Sequence, residues 1–164
     1  MRTDNTRTGF GRKTAVLLAT GFGLGYSPVA SGTAGSVLGV VLALGIACLP
    51  GLVLRIGVVL VLVAVAIPVC DAAEEYFGTK DDGRIVADEY LTFPICVLGL
   101  PLSPWLLAVA FVVNRGLDVV KPPPARRLQA CHGGFGIVVD DFIACLYGLA
   151  VNHAIYHVVT RLWA

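Results

Sequence analysis

Charged side chains are scarce in this chain. They make up 14% of its 164 residues, where an average soluble domain carries roughly a quarter. A soluble protein this small needs a polar exterior, because surface outgrows core in short chains. With 57% hydrophobic residues and a mean hydropathy of +0.82, it has too few polar groups to cover itself. Contact with a bilayer accounts for the excess. Basic charge is not in surplus either. The net charge is +1, which excludes the basic stripe of a nucleic-acid binder, so no nucleic-acid partner is expected. Paired cysteines are missing too. Cys48, Cys70, Cys96, Cys131 and Cys145 form no CxxC pair and mostly lie in apolar runs. They read as free thiols packed as small hydrophobes.

What is present is a succession of five apolar segments, at about 36–49, 56–77, 85–100, 104–120 and 137–163. Pro50-Gly51, Gly78, Pro101 and Pro122-Pro123-Pro124 punctuate them. A spanning helix needs about 20 apolar residues, so the first and third are short and are expected to be tilted, half-inserted or paired inside a bundle. An interfacial helix is expected at about 13–22. The fold class is therefore all-α: a compact polytopic membrane bundle of about five apolar helices, some short or tilted. A basic cytoplasmic arm, residues 1–13, would precede a single membrane domain, residues 14–164. Arg2, Arg7, Arg12 and Lys13 before 15–19, with Pro28-Val29-Ala30 after, have the outline of a signal peptide. The apolar core is short and broken by Thr20, Gly21, Gly23 and Gly25, which argues against cleavage.

Charge is distributed unevenly. If the N-terminus is cytoplasmic and all five segments cross, the inner side holds Arg2, Arg7, Arg12, Lys13, Lys80, Arg84, Lys121, Arg126 and Arg127. The outer side holds Arg55 and Arg161, and Arg115 stays within the fourth segment. This follows the positive-inside rule. The same arrangement collects the acids at one bilayer face, with Asp4 alone in the N-terminal arm.

Asp71, Glu74 and Glu75 share a helical face. Asp88-Glu89 stands just inside the third segment and Asp140-Asp141 just inside the fifth. Asn114, Asp118 and Lys121 follow at four and three residues in the fourth. A helix-end pair such as Asp118 with Lys121 is the plain reading of any one of these. Taken together, carboxylates meeting at membrane depth repel unless a cation neutralises them. Hard oxygen donors without a His or Cys cluster favour magnesium over zinc. Asp81 and Asp82, beside Gly83, read as a solvated turn, and His132 as a loop histidine. Ser31-Gly32-Thr33-Ala34-Gly35-Ser36 opens the first segment, where small residues and hydroxyls at a helix start suit an anion. No Cys is followed six residues later by Arg, and no GxxxxGK[ST] loop occurs.

Three blocks in order resemble the phosphatidylglycerophosphatase A family: SGTAGS at Ser31 to Ser36, GRIVADE at Gly83 to Glu89, and LDVVKPPPARR, Leu117 to Arg127. The last continues through HGGFGIVVDDFIA, His132 to Ala144. The resemblance covers nearly all of the chain after about Thr14. Ser31 replaces a usual proline, Thr92 a frequent glycine and Leu117 a phenylalanine, and an acidic residue expected around 128–130 is missing.

The resemblance implies a bacterial membrane enzyme that hydrolyses phosphatidylglycerophosphate to phosphatidylglycerol and phosphate with Mg2+, in phospholipid biosynthesis. It would sit in the cytoplasmic membrane, multi-pass, with its active site facing the cytoplasm. On that footing Asp88, Glu89, Asp140 and Asp141 are the expected metal ligands. Asp118 is expected to orient or deprotonate water, and Lys121 to offset phosphoryl charge. Ser31, Gly32, Thr33 and Ser36 are expected to hold the phosphate. The alternative is a small ion-coupled transporter or channel, which would also gather intramembrane acids but would place charge at mid-bilayer or on the outer side.

Overall fold

The computed structural model describes residues 9–163. Arg2, Asp4 and Arg7, part of the expected arm, and Ala164 lie outside them. All regular elements among the described residues are helical. They are α1 (Gly9–Ala19), α2 (Ser31–Ala47), α3 (Leu52–Phe77), α4 (Ala87–Thr92), α5 (Pro104–Val120), α6 (Ala125–Leu128) and α7 (Gly133–Leu162). Short 3-10 turns lie at Leu24–Tyr26 and Phe93–Val97.

Turn chemistry sets the boundaries. Gly78 ends α3 in the left-handed region (φ 69°), where a glycine carries no Cβ penalty. Pro104 starts α5, where its missing N–H and fixed φ suit the first turn. The expected arm becomes helical at Gly9, four residues before the expected interfacial helix. Arg12 docks there on α3, its Nη2 3.3 Å from the Glu75 carbonyl oxygen.

α3 and α7 are long and apolar enough to cross a membrane, whereas α2 is apolar but shorter. Only 17% of the most apolar stretch of α3 is buried within the protein. Val53, Leu60, Val61 and Val65 lie exposed along it, and Val37, Val41 and Leu44 along α2. A soluble monomer rarely leaves so broad an apolar surface in water, and these helices associate the chain with a membrane.

Of the about five apolar helices expected, some short or tilted, two among the described residues are long and apolar enough to span. The third segment takes one of its expected options, pairing inside the bundle. It forms six residues of α4 and five of 3-10 helix, together roughly 19 Å against a hydrocarbon core of about 30 Å. Residues 85–97 are all buried except Glu89. This segment runs through the interior of the bundle and meets protein instead of lipid. At its start, Ser31 Oγ donates to the Gly83 carbonyl (2.7 Å). At its far end, His153 Nε2 sits 2.9 Å from the Leu98 oxygen and Asn152 Nδ2 donates to the Cys96 oxygen.

Glycines in α2 make that close passage possible. A Cβ at Gly35 would press on Val86, and one at Gly39 would meet the Phe93 side chain. Small residues at helix interfaces let backbones approach where lipid offers no hydrophobic driving force. The interior then closes in two layers. Val86, Ala87, Tyr90 and Leu91 pack with Ala66, Cys70 and Ile137 near the α4 end. Phe93, Ile95 and Cys96 pack with Ala43, Val59, Ala110 and Cys145 deeper in.

Candidate active site

α4, α5 and α7 deliver acids to one cleft of about 570 Å³. It is lined by Asp88 and Glu89 of α4, Asp118 of α5, Asp140 and Asp141 of α7, and Arg115 and Lys121. Asp81 and Asp82 stand on its margin, with Ser27, Ser31, Gly32 and Gly83. Asp88 is 9% exposed, Asp140 5% and Asp141 7%. A buried carboxylate needs partners, a cation or a bound proton.

Two cations already serve part of the set. Arg115 Nη1 lies 2.8 Å from Glu89 Oε2 and 3.2 Å from Asp118 Oδ2. Ser36 Oγ, fully buried, donates to the same Glu89 oxygen at 2.9 Å. Lys121 Nζ donates to Asp140 Oδ2 at 2.6 Å. The plain helix-end pairing of Asp118 with Lys121 is not made, and each residue has another partner. The cause is local. Lys121 leaves the helix with φ 48°, so its side chain departs from the α5 face and reaches α7.

Burial opposes the charge on Lys121, but the Asp140 hydrogen bond and the nearby Asp118 and Asp141 carboxylates outweigh it and hold its pKa above the usual lysine value. At the rim, hydrogen bonds from the Arg84 side chain hold the Asp82 carboxyl below the ordinary range. Asp81 accepts from Gln129 Nε2 at 2.9 Å. The turn expected at these two aspartates is there, with Asp81 exposed and Asp82 half-buried, and it also forms the cleft margin.

The hydroxyl block divides. Ser31 and Gly32 line the cleft. A Cβ at Gly32 would collide with the Glu89 carboxylate and crowd Arg115, so only glycine lets α2 come this close. Thr33 is exposed and stands off the cleft. Ser36 lies beneath it and orients Glu89. His132 is likewise exposed and away from it, and Asp71 is engaged elsewhere, accepting from the Gly134 N–H at 3.2 Å. Arg115 was the residue without an assigned task in the sequence. An arginine inside an apolar segment, three before an aspartate, was the available signal.

The remaining charge defines what this cleft can hold. Asp88 and Asp141 have no cationic partner among the described residues. Asp88 Oδ1 and Asp140 Oδ1 are buried without a hydrogen-bond partner. The donors are carboxylate oxygens, the ligand type that hard divalent cations take. Among the described residues no three His, Cys, Asp or Glu side chains form a ready-made metal group. Glu89 is paired with Arg115 and Asp140 with Lys121. The chemistry of the donors, carboxylate oxygens with Asp88 Oδ1 and Asp140 Oδ1 left unpartnered, is of the kind that suits a hard cation.

Comparison with known proteins adds an independent line. The family profile described as phosphatidylglycerophosphatase A matches residues 17–156. A phosphatidylglycerophosphatase A of Escherichia coli is 34% identical over 143 residues, 86% of this chain and 83% of that protein. Its Haemophilus influenzae counterpart is 32% identical over 143 residues, 86% of this chain and 88% of the relative. A putative phosphatidylinositol-3-phosphatase of Bacteroides thetaiotaomicron is 34% identical over 139 residues, 80% and 87% of the two chains. No solved structure matches.

Proposed function

Since the chain belongs to the phosphatidylglycerophosphatase A family, we propose that it is a membrane phosphatase that hydrolyses phosphatidylglycerophosphate to phosphatidylglycerol and phosphate. The observation that carries this reading is the meeting of Asp88, Glu89, Asp118, Asp140 and Asp141, from three helices, in one cleft at one end of an apolar bundle. The ion-coupled transporter alternative finds no support in the comparisons.

The reaction cleaves the terminal P–O bond, with a water oxygen replacing the glycerol oxygen on phosphorus. Asp88 and Asp141, with Asp140 and Glu89 beside them, would hold Mg2+. The ion, when bound, would polarise the phosphoryl oxygens and acidify a water. Asp118, fixed by Arg115 and facing the cleft, takes the proton from the attacking water and passes it to the departing glycerol oxygen. Lys121 presents its ammonium to the phosphoryl oxygens from the Asp140 side. Ser31 and the backbone at Gly32 border the place where the phosphate enters. Ser36 and Arg115 hold Glu89 in one orientation.

The same reading places the enzyme in the bacterial cytoplasmic membrane, crossing it more than once, with the cleft toward the cytoplasm. Arg12, Lys80, Arg84, Lys121, Arg126 and Arg127 gather at the cleft end, which supports that orientation. The product is phosphatidylglycerol for phospholipid synthesis.

The test is phosphate release from phosphatidylglycerophosphate by purified protein in neutral detergent micelles, with added Mg2+ and then with chelator. Release that depends on the cation is expected. No release under either condition sinks the proposal.

A further inference from the structure

Beside the catalytic cleft, and sharing Lys121 with it, lies a second hollow of about 490 Å³. Residues 120–124, Arg126 and Arg127 line it, and no acidic side chain does. The two hollows are opposite in character. The cleft carries a large excess of carboxylates, and its cations are committed, Arg115 to Glu89 and Asp118, Lys121 to Asp140. Arg126 and Arg127 are exposed and have no ion pair among the described residues.

The wall of this hollow is fixed. Pro122, Pro123 and Pro124 have no N–H to offer, so the positive charge for an anion here comes from side chains. The Ala125 N–H donates to the Pro122 oxygen at 2.9 Å and Ala125 is fully buried. Tyr147 of α7 donates to the Pro123 oxygen, also at 2.9 Å. The short helix α6 presents the two arginines in succession above that rigid turn. A guanidinium matches phosphate geometry with two parallel donors.

A lipid of the proposed substrate class carries two phosphates, a terminal monoester and an internal phosphodiester one glycerol away. The acid-rich cleft, loaded with a cation, takes the monoester. It has no free positive charge left for the second. We propose that Arg126 and Arg127, over the proline turn, form a subsite for the phosphodiester, and so select lipids whose headgroup bears this second anionic phosphate. This rests on the phosphatase reading and adds to it the residues that distinguish such a lipid from a simple phosphatidate.

The experiment separates the two halves of the substrate. Binding of fluorescent phosphatidylglycerol, which keeps the diester and lacks the monoester, is measured in neutral maltoside micelles with no other anionic lipid. The double variant Arg126→Gln with Arg127→Gln should weaken it about tenfold or more, the scale of losing hydrogen bonds to a charged group. Fluorescent phosphatidate, a monoester without the diester, should bind as to the unaltered protein. In turnover, the variant should raise KM for phosphatidylglycerophosphate with little change in kcat, the mark of lost ground-state binding. Arg126→Lys with Arg127→Lys should restore part of the affinity. Unchanged phosphatidylglycerol binding overturns the subsite. Equal weakening of phosphatidate overturns it too, because the arginines would then be attracting any anionic lipid. Failure of the unaltered protein to release phosphate would strike the phosphatase reading instead, and the binding results would still decide the subsite.

Discussion

Lys121 Nζ lies 2.6 Å from Asp140 Oδ2, which clamps the end of α5 to α7 across the cleft. The lysine is one-quarter exposed and the aspartate only 6%. Removing either partner strands the other. Lys121→Met should therefore lower thermal stability, by at most about 3–5 kcal/mol, and abolish most turnover. Lys121→Met with Asp140→Asn should regain the stability, because no charge is left stranded, but not the activity. Thermal unfolding and phosphate release on the two variants check this. A double variant with substantial phosphatase activity would show that the pair is purely structural.

Arg115 bridges Glu89 and Asp118 through one nitrogen, and its position in the helix is set by neither. Arg115→Lys keeps the charge but replaces a planar fork with a flexible point donor, so Asp118 loses its fixed orientation. A fall in kcat of about tenfold to a hundredfold is expected, the equivalent of roughly 1.4–2.8 kcal/mol in the barrier. KM should move little. A kcat equal to that of the unaltered enzyme would remove Asp118 orientation from the mechanism.

Cation dependence can be read without turnover. Mg2+ should raise the unfolding temperature of the unaltered protein, as any ligand that binds the folded state does. Asp88→Asn and Asp141→Asn should each abolish that shift and cut turnover by orders of magnitude. Asp81→Asn should retain both, since that side chain is held at the rim by Gln129. A Mg2+ shift preserved in both the Asp88 and Asp141 variants would move the cation elsewhere.

Two glycines in helices should respond in opposite ways to alanine. At Gly32 the added methyl meets Glu89 and Arg115, whereas at Gly57 nothing lies within 4 Å. Gly32→Ala should displace the Glu89–Arg115 pair and depress kcat. Gly57→Ala should keep full activity and raise stability by up to about 1 kcal/mol, through helix propensity alone. Unfolding curves and rates on the two variants decide it, and an active Gly32→Ala enzyme would refute the close-packing argument.

Orientation in the membrane can be read from two native thiols. Cys48 follows α2 at the end away from the cleft, and Cys131 precedes α7 at the cleft end. An impermeant maleimide should label Cys48 from outside intact cells and Cys131 only in inverted vesicles. Labelling of both from one side would reject the proposed orientation.

The acidic blocks were legible in the sequence because costly charges inside apolar segments have few bland explanations. Asp88, Glu89, Asp118, Asp140 and Asp141 all reach the cleft, as expected. Their partners were not legible. Asp118 stands three residues from both Arg115 and Lys121, so spacing fits either pairing. The choice is made by the left-handed turn at Lys121, a feature of backbone conformation. Thr33 illustrates the same limit: in a helix beginning at Ser31, it points away from a cleft that Ser31 and Gly32 border. For the third segment, pairing inside the bundle was one of three options, and the sequence could not choose among them. Hydropathy reports that 85–97 avoids water, but lipid and protein interior satisfy it equally.

That buried passage also constrains how the protein is made. α3 leaves the ribosome with 26 residues, half of them exposed in the folded chain, able to settle in lipid at once. The segment that follows has no lipid-facing side and carries Asp88 at its head, so it has no resting place until α5 and α7 arrive to wall it in. An ordered biogenesis is the expected consequence, with the outer staves placed first and the buried strut admitted last. We predict that a chain truncated before Gly133 inserts α3 normally yet leaves residues 85–97 open to protease, a state the full chain passes through only while being synthesised. Protection of that stretch in the truncated chain would show that the strut seats itself unaided.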